Sequence, residues 1–339
     1  MSENCELKYT DYKSNLNVRW CPGCGDHAIL NSVQKAMAEL KVEPHNIAVI
    51  SGIGCSSRFP YYMNTYGFHT IHGRGAAIAS GVKVANPNLH VWQITGDGDA
   101  LAIGGNHFIH LIRRNIDMNV ILFNNQIYGL TKGQYSPTSK RGFISKSSPF
   151  GTVEDPFRPG LLAIGAGGQF FARTIDKELK LSVEIMTEAA KHKGTSVIEV
   201  LQNCVIYNDK THEAITDKKY KADRTILLRH GEKMIFGANN DKGLVLGEDM
   251  KLKAVTIGQD GYTLEDILVH DAYAEFPNIH MKLIAMEYPE LPVALGVIRS
   301  VERRTYEQEV KKQVEEVQNS TKISSFEDMV NSGETWEVK

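Results

Sequence analysis

The chain has 339 residues, 42% hydrophobic and 23% charged, and its 38 Lys and Arg nearly balance 40 Asp and Glu for a formal charge of −2. This is the composition of an ordinary soluble globular protein, long enough for one large domain or two closely packed ones. There is no charge excess to draw it to nucleic acid and no apolar run of bilayer-spanning length, so neither nucleic acid nor a membrane is expected as a partner.

The opening MSENCELKYTDYK is polar and offers no apolar signal segment, so a cytoplasmic protein is expected. The five cysteines, Cys5, Cys21, Cys24, Cys55 and Cys204, are odd in number and scattered. In an unexported chain that favours ligands or free thiols over disulfides. Cys5 is expected to be an ordinary thiol on a flexible end.

Residues 26–40 carry Ala28, Ile29, Val33, Ala36, Met37 and Leu40 at helical spacing, and IAVIS at 47–51 reads as a buried strand. Small apolar residues at 75–84 predict a tightly packing helix. A strand follows at 91–95, a helix at 108–114 and a strand at 119–124. A long amphipathic helix over 176–192 precedes a strand at 196–201. Such alternation implies βαβ units, hence an α/β fold with a mostly parallel sheet and helices on both faces. Beyond Asn203 the regularity weakens: 209–261 is polar and Gly/Lys-rich, and 306–320 is a charged helical run. The expected division is 12–207 as the ligand-binding domain, 208–310 as an excursion and arm packed on it, and 311–339 as a charged helix and tail.

In an open parallel sheet, ligands bind beyond the carboxyl ends of the strands. Three such ends here carry GIGCSSR (52–58), GDGDALAIGG (96–105) and NQIYGLTKGQ (125–134). GDG alone is a common turn. Asp97 and Asn125, however, each stand just past a strand, and adjacent parallel strands would bring both side-chain oxygens to one point. With a backbone carbonyl they form a hard oxygen set suited to Mg²⁺, which keeps phosphate oxygens as further ligands. Gly96 and Gly98 would let the backbone approach a diphosphate, and amides of the following helix would face its charge. The pair Cys21 and Cys24, in WCPGCGDHAIL, fits a zinc site, a redox dithiol or part of an iron–sulfur site, and by itself leans toward zinc.

GDG followed by NN at this distance resembles the diphosphate-binding motif of thiamine diphosphate enzymes. Together with WCPGCGDHAIL, GIGCSSR, HTIHGRG and NNQIYGLTKGQYSPT, the chain resembles, over roughly 12–310, the β subunit of 2-oxoacid:ferredoxin oxidoreductases. The resemblance implies the thiamine diphosphate-binding fold. It implies Mg²⁺ ligation by the side chains of Asp97 and Asn125 and the carbonyl of Ile127. Ile53, Gly54, Cys55, Ser56, Gly96, Gly98, Asp99, Gly129 and Leu130 would line the thiamine diphosphate, with His72 near it. Cys21, Cys24, Cys55 and Cys204 would hold one [4Fe–4S] cluster, and Cys55 and Cys204 both follow expected strands on the cofactor side.

The implied activity is CoA-dependent oxidative decarboxylation of a 2-oxoacid, with electrons leaving through the cluster to ferredoxin. The glutamate that faces the aminopyrimidine is supplied in the family by an α subunit, so an αβ heterodimer or heterotetramer is implied. Arg58 and Lys132 are cations next to the expected site and suit a second substrate carboxylate, which points to 2-oxoglutarate and succinyl-CoA. Alternatives are a pyruvate-directed or broad-range enzyme, a non-redox thiamine lyase with structural zinc, and a non-catalytic metal-stabilised subunit.

Overall fold

The computed structural model describes residues 7–321, 323–334 and 336–338, so Cys5 lies outside the described residues. Strands β1 (Ile47–Ser51), β2 (Tyr66–His69), β3 (His90–Gly96), β4 (Met118–Asn124), β5 (Phe170–Ile175), β6 (Thr195–Leu201) and β7 (Thr225–Leu228) come first along the chain. Three short strands, β8 (Ile235–Phe236), β9 (Lys242–Leu246) and β10 (Leu252–Thr256), form a separate antiparallel sheet, and β11 (Val293–Ser300) returns to the main one. The main sheet has eight strands in the order β2-β1-β3-β4-β6-β5-β11-β7. Six of its seven pairings are parallel, and only β5 with β11 runs antiparallel.

Six α-helices precede β6 among the described residues: α1 (Asp26–Leu40), α2 (Gly75–Ala85), α3 (Asp97–Leu101), α4 (Gly105–Arg114), α5 (Pro159–Gly165) and α6 (Leu179–Lys191). The period of two along each strand sends successive side chains to opposite faces. Ile47, Val49, Ile121 and Phe123 pack with Ile29, Val33, Met37 and Met186 of α1 and α6. Ala48, Ile50, Val120 and Leu122 pack with Ala79, Phe108, Ile112 and Ile164 of α2, α4 and α5. Both faces are therefore covered, as the near-continuous apolar strands require. Each fully buried large side chain contributes about 1.5–3 kcal/mol of transfer free energy.

The expected helix 26–40 and strand 47–51 coincide with α1 and β1, and the other expected elements shift by a few residues. Four strands of the main sheet had no counterpart in the sequence reading: β2, β5, β7 and β11. Residues 208–310 thus supply two strands of the main sheet as well as the small sheet and connecting segments. The charged run forms a helix over Tyr306–Ser320, exposed along most of its length. Among the described residues no helix is long and apolar enough to cross a membrane.

Candidate functional site

The carboxyl ends of β1, β3 and β4 are neighbours in the sheet, and the loops leaving them enclose a cleft of about 510 Å³. Ile53, Gly54, Cys55 and Ser56 line it after β1, and Gly96, Asp97, Gly98 and Asp99 line it at the end of β3 and the start of α3. Asn125, Ile127, Gly129 and Leu130 close it after β4, and His72 enters from the segment before α2. Residues spread over 78 positions of sequence meet there because parallel strands with right-handed crossovers bring their carboxyl ends to one edge.

Asp97 is the first residue of α3 and is 2% exposed. Its Oδ2 accepts from Ser136 Oγ at 2.5 Å and from Thr138 Oγ1 at 2.5 Å. Burial pushes its carboxyl up to about 6, against the pull of those two hydroxyls and the Gly98 amide. A buried carboxylate held above its usual range is stabilised by a cation. Asn125 Oδ1 accepts the Ile127 amide at 3.1 Å, which fixes the turn, and its own carbonyl accepts from Asn208 Nδ2 at 2.9 Å. Carboxylate, amide oxygen and carbonyl on one cleft wall form the donor chemistry that a magnesium ion requires.

Asp99 also faces the cleft, but its oxygens are engaged. Oδ1 accepts from the Ile53 amide at 3.1 Å, the Gly73 amide at 2.7 Å and His72 Nδ1 at 2.7 Å, while Oδ2 accepts from Thr95 Oγ1 at 2.8 Å. It therefore ties together the loops after β1, before α2 and after β3. Gly98 is needed for a reason the motif does not reveal: a Cβ there would stand 2.2 Å from Cε1 of Tyr128, whose hydroxyl donates to the Gly98 carbonyl at 3.0 Å. Gly54 has a φ of +133°, a conformation glycine adopts without strain.

The thiols lie behind Gly129. A Cβ on that residue would be 3.5 Å from the Cys55 sulfur and 3.6 Å from the Cys204 sulfur, and Cys55 itself lines the cleft, so the cleft and these thiols are immediate neighbours. Trp20 Nε1 donates to the Cys55 carbonyl at 2.7 Å, and Gln202 Nε2 donates to the Cys24 sulfur at 3.3 Å. The Cys24 amide donates to the Cys21 carbonyl at 3.1 Å, closing the turn between the two cysteines. Burial, then the nearby Asp26 carboxyl and the other thiols, pushes the Cys55 thiol up to about 12 and Cys24 up as well. Such thiols ionise readily only when a cationic centre offsets the negative charge. Among the described residues, no three His, Cys, Asp or Glu side chains stand close enough to share a single metal ion. A tetrahedral zinc would draw its sulfurs to about 3.8 Å of one another, whereas a four-iron cluster spreads its thiolates over a wider shell.

Arg58 and Lys132 do not line the cleft. Arg58 lies in the 3₁₀ helix Ser56–Tyr62, where its charge bears on the Cys55 thiol. Lys132 is exposed at the rim, in a turn with a φ of +76° between the lining residues Thr131 and Gln134. Sequence reasoning missed Phe123, Tyr128, Thr131 and Gln134 as lining residues and Ser136 and Thr138 as partners of Asp97. Tyr128 to Thr138 lie inside the NNQIYGLTKGQYSPT stretch, but nothing in their spacing tells which side chains turn inward.

Comparison with known proteins matches residues 52–200 to the C-terminal TPP-binding domain of thiamine pyrophosphate enzymes. The chain is 43% identical over 334 residues to the 2-oxoglutarate oxidoreductase subunit KorB of Mycobacterium tuberculosis, covering 98% of this chain and 88% of that protein. It is 50% identical over 213 residues to the 2-oxoacid:ferredoxin oxidoreductase 1 β subunit of Aeropyrum pernix, covering 62% of this chain and 67% of that one. A solved 2-oxoglutarate:ferredoxin oxidoreductase from Magnetococcus marinus, with 2-oxoglutarate, coenzyme A and succinyl-CoA bound, superposes with a TM-score of 0.77 at 31% identity, over 98% of this chain and 97% of the other. Likeness over nearly the whole length accompanies a cleft built on GDG and NN with Cys55 in its wall, and on the strength of that likeness the chain belongs to the β subunits of the 2-oxoacid:ferredoxin oxidoreductases.

Proposed function

We propose that this β subunit binds thiamine diphosphate through Mg²⁺ in the cleft after β1, β3 and β4, and one [4Fe–4S] cluster on Cys21, Cys24, Cys55 and Cys204. With an α subunit it oxidatively decarboxylates 2-oxoglutarate in the presence of CoA and passes the electrons to ferredoxin in the cytoplasm. The observation that carries the reading is Gly129, which lines the cleft on one side and abuts the Cys55 and Cys204 sulfurs on the other. Thiamine diphosphate, when bound, supplies the electron sink for decarboxylation. The chain's own residues orient and enclose it. Asp97, Asn125 and the Ile127 carbonyl hold the metal, and Asp99 locks the three surrounding loops to one another. His72 forms part of the wall with its Nδ1 committed to Asp99.

The names of the relatives support 2-oxoglutarate as substrate. Lys132, on the rim, and Arg58, beside Cys55, are the cations of this chain assigned to the distal substrate carboxylate. The test is co-expression with the α subunit and anaerobic purification. Expected are thiamine, four irons and four sulfides per β subunit, and CoA-dependent viologen reduction that is fastest with 2-oxoglutarate in a panel of 2-oxoacids. Zinc in place of iron, or turnover without acceptor reduction, would sink the redox assignment.

A further inference from the structure

Just past the carboxyl end of β6, the side chain of Gln202 stands against the cysteine pair of the CPGCG stretch. Its backbone amide donates to the Asn124 carbonyl at 3.0 Å, which fixes the main chain beside the end of β4. The residue is fully buried. Its Nε2 donates to the Asn203 carbonyl at 2.6 Å and to the Cys24 sulfur at 3.3 Å. The Gly25 amide donates to the same Asn203 carbonyl at 3.3 Å. A Cβ on Gly25 would stand 2.9 Å from Gln202 Cγ and 2.0 Å from Asp176 Oδ2, so the glycine after Cys24 leaves the room that Gln202 fills.

Which end of the amide faces the sulfur is forced. A backbone carbonyl only accepts, so the group 2.6 Å from the Asn203 oxygen is the NH₂ and not Oε1. That NH₂ carries two hydrogens and meets two acceptors, one for each. Oε1 is buried without a protein partner. An amide held with its oxygen unmet costs stability, so the use of this side chain lies in what its NH₂ does. The backbone amide of Asp26, the first residue of α1, bonds to the Cys24 thiol as well.

We propose that Gln202 sets the potential of the iron–sulfur cluster by donating a hydrogen bond to the sulfur of Cys24. This rests on Cys24 being a cluster ligand, as proposed above. A cluster that takes an electron becomes more negative, and an N–H directed at a ligand sulfur stabilises that state more than the oxidised one. In a buried setting the bond is electrostatically stronger than in water. Gln202 therefore raises the potential and makes the cluster the better electron acceptor, without being a ligand itself.

The test is an anaerobic redox titration of the purified αβ complex, followed by electron paramagnetic resonance of the reduced cluster. Gln202→Met keeps the length and the apolar stem but has no donor. At the parent's midpoint its ratio of reduced to oxidised cluster should fall about tenfold, which is a shift of about 59 mV to more negative values for one electron. Asn203→Ala is the control. It lies next to Cys204 and keeps its carbonyl while losing side-chain bonds to Asp209 and Lys210, and it should titrate with the parent. In a parent complex with isotope-labelled glutamine side-chain nitrogen, pulsed resonance of the reduced cluster should show a nitrogen coupling that Gln202→Met removes. An unshifted potential in Gln202→Met, an equal shift in Asn203→Ala, or a parent spectrum without the coupling would overturn the proposal. A parent complex without iron and acid-labile sulfide would instead overturn the cluster site itself, so the two failures are distinct. The parent spectrum keeps the test decisive if Gln202→Met does not assemble.

Discussion

Gly98 and His212 show how much a single residue depends on what surrounds it. Gly98 looks like part of a phosphate-approach motif, yet the ring of Tyr128 occupies the space a side chain would need. His212 is 8% exposed and donates from Nε2 to the Asn124 carbonyl at 3.0 Å. Burial lowers its pKa to about 4; the Asn124 carbonyl and Glu199 oppose that shift, while Lys140 and Arg173 add to it. An unfolded histidine takes up a proton below about pH 6.5, which the folded His212 refuses until about pH 4. Stability therefore falls as pH drops through that window. His212→Gln keeps a donor for the carbonyl but cannot titrate. Its loss of unfolding free energy between pH 7 and pH 5 should be smaller than the parent's by about 2 kcal/mol. Parallel urea-derived stability curves for the two proteins would refute this. Such a shift is invisible in sequence, because it comes from burial that only the assembled fold creates.

Elements with a strong period were legible, and those without one were not. In α1 and in β1, β3, β4 and β6 the apolar spacing follows the packing they make on both sheet faces. The β2 strand is four residues, largely exposed, at the sheet edge, so burial left no pattern to read. In β11 a glycine with a φ of +100° and a register shift between Val297 and Arg299 interrupt the alternation. Yet β11 covers the edge of β5, whose Phe170 and Phe171 are fully buried. A chain ending at residue 207 would leave that edge unpaired and its apolar faces open. Truncation there should give an aggregating product without a cooperative thermal transition, measured by circular dichroism and gel filtration. A soluble, cooperatively unfolding 1–207 fragment would show that 208–310 is an arm after all.

Across the whole molecule the cleft opens at one edge of the sheet and contains only one set of thiamine-type motifs. The described residues of the cleft wall include Asp97 and Asp99 but no glutamate. The purified chain without its α subunit should therefore show no 2-oxoacid-dependent viologen reduction, and adding the α subunit should restore it. Turnover by the isolated chain, assayed anaerobically after iron and thiamine loading, would contradict the need for the partner.

The sequence by itself determined the α/β class, because strand periodicity and local turn chemistry are short-range properties. It also carried the family, through several motifs in order. Only the tertiary structure decided that Asp99 is spent on binding loops, that Arg58 and Lys132 stand outside the cleft wall, and that Gly129 abuts the Cys55 and Cys204 sulfurs. It alone placed the Gln202 amide against the Cys24 sulfur, 178 residues away along the chain. The reason is geometric: which side chains meet depends on strand order and crossover, and residues from β3, β4, β5 and β6 become neighbours only when the sheet is assembled.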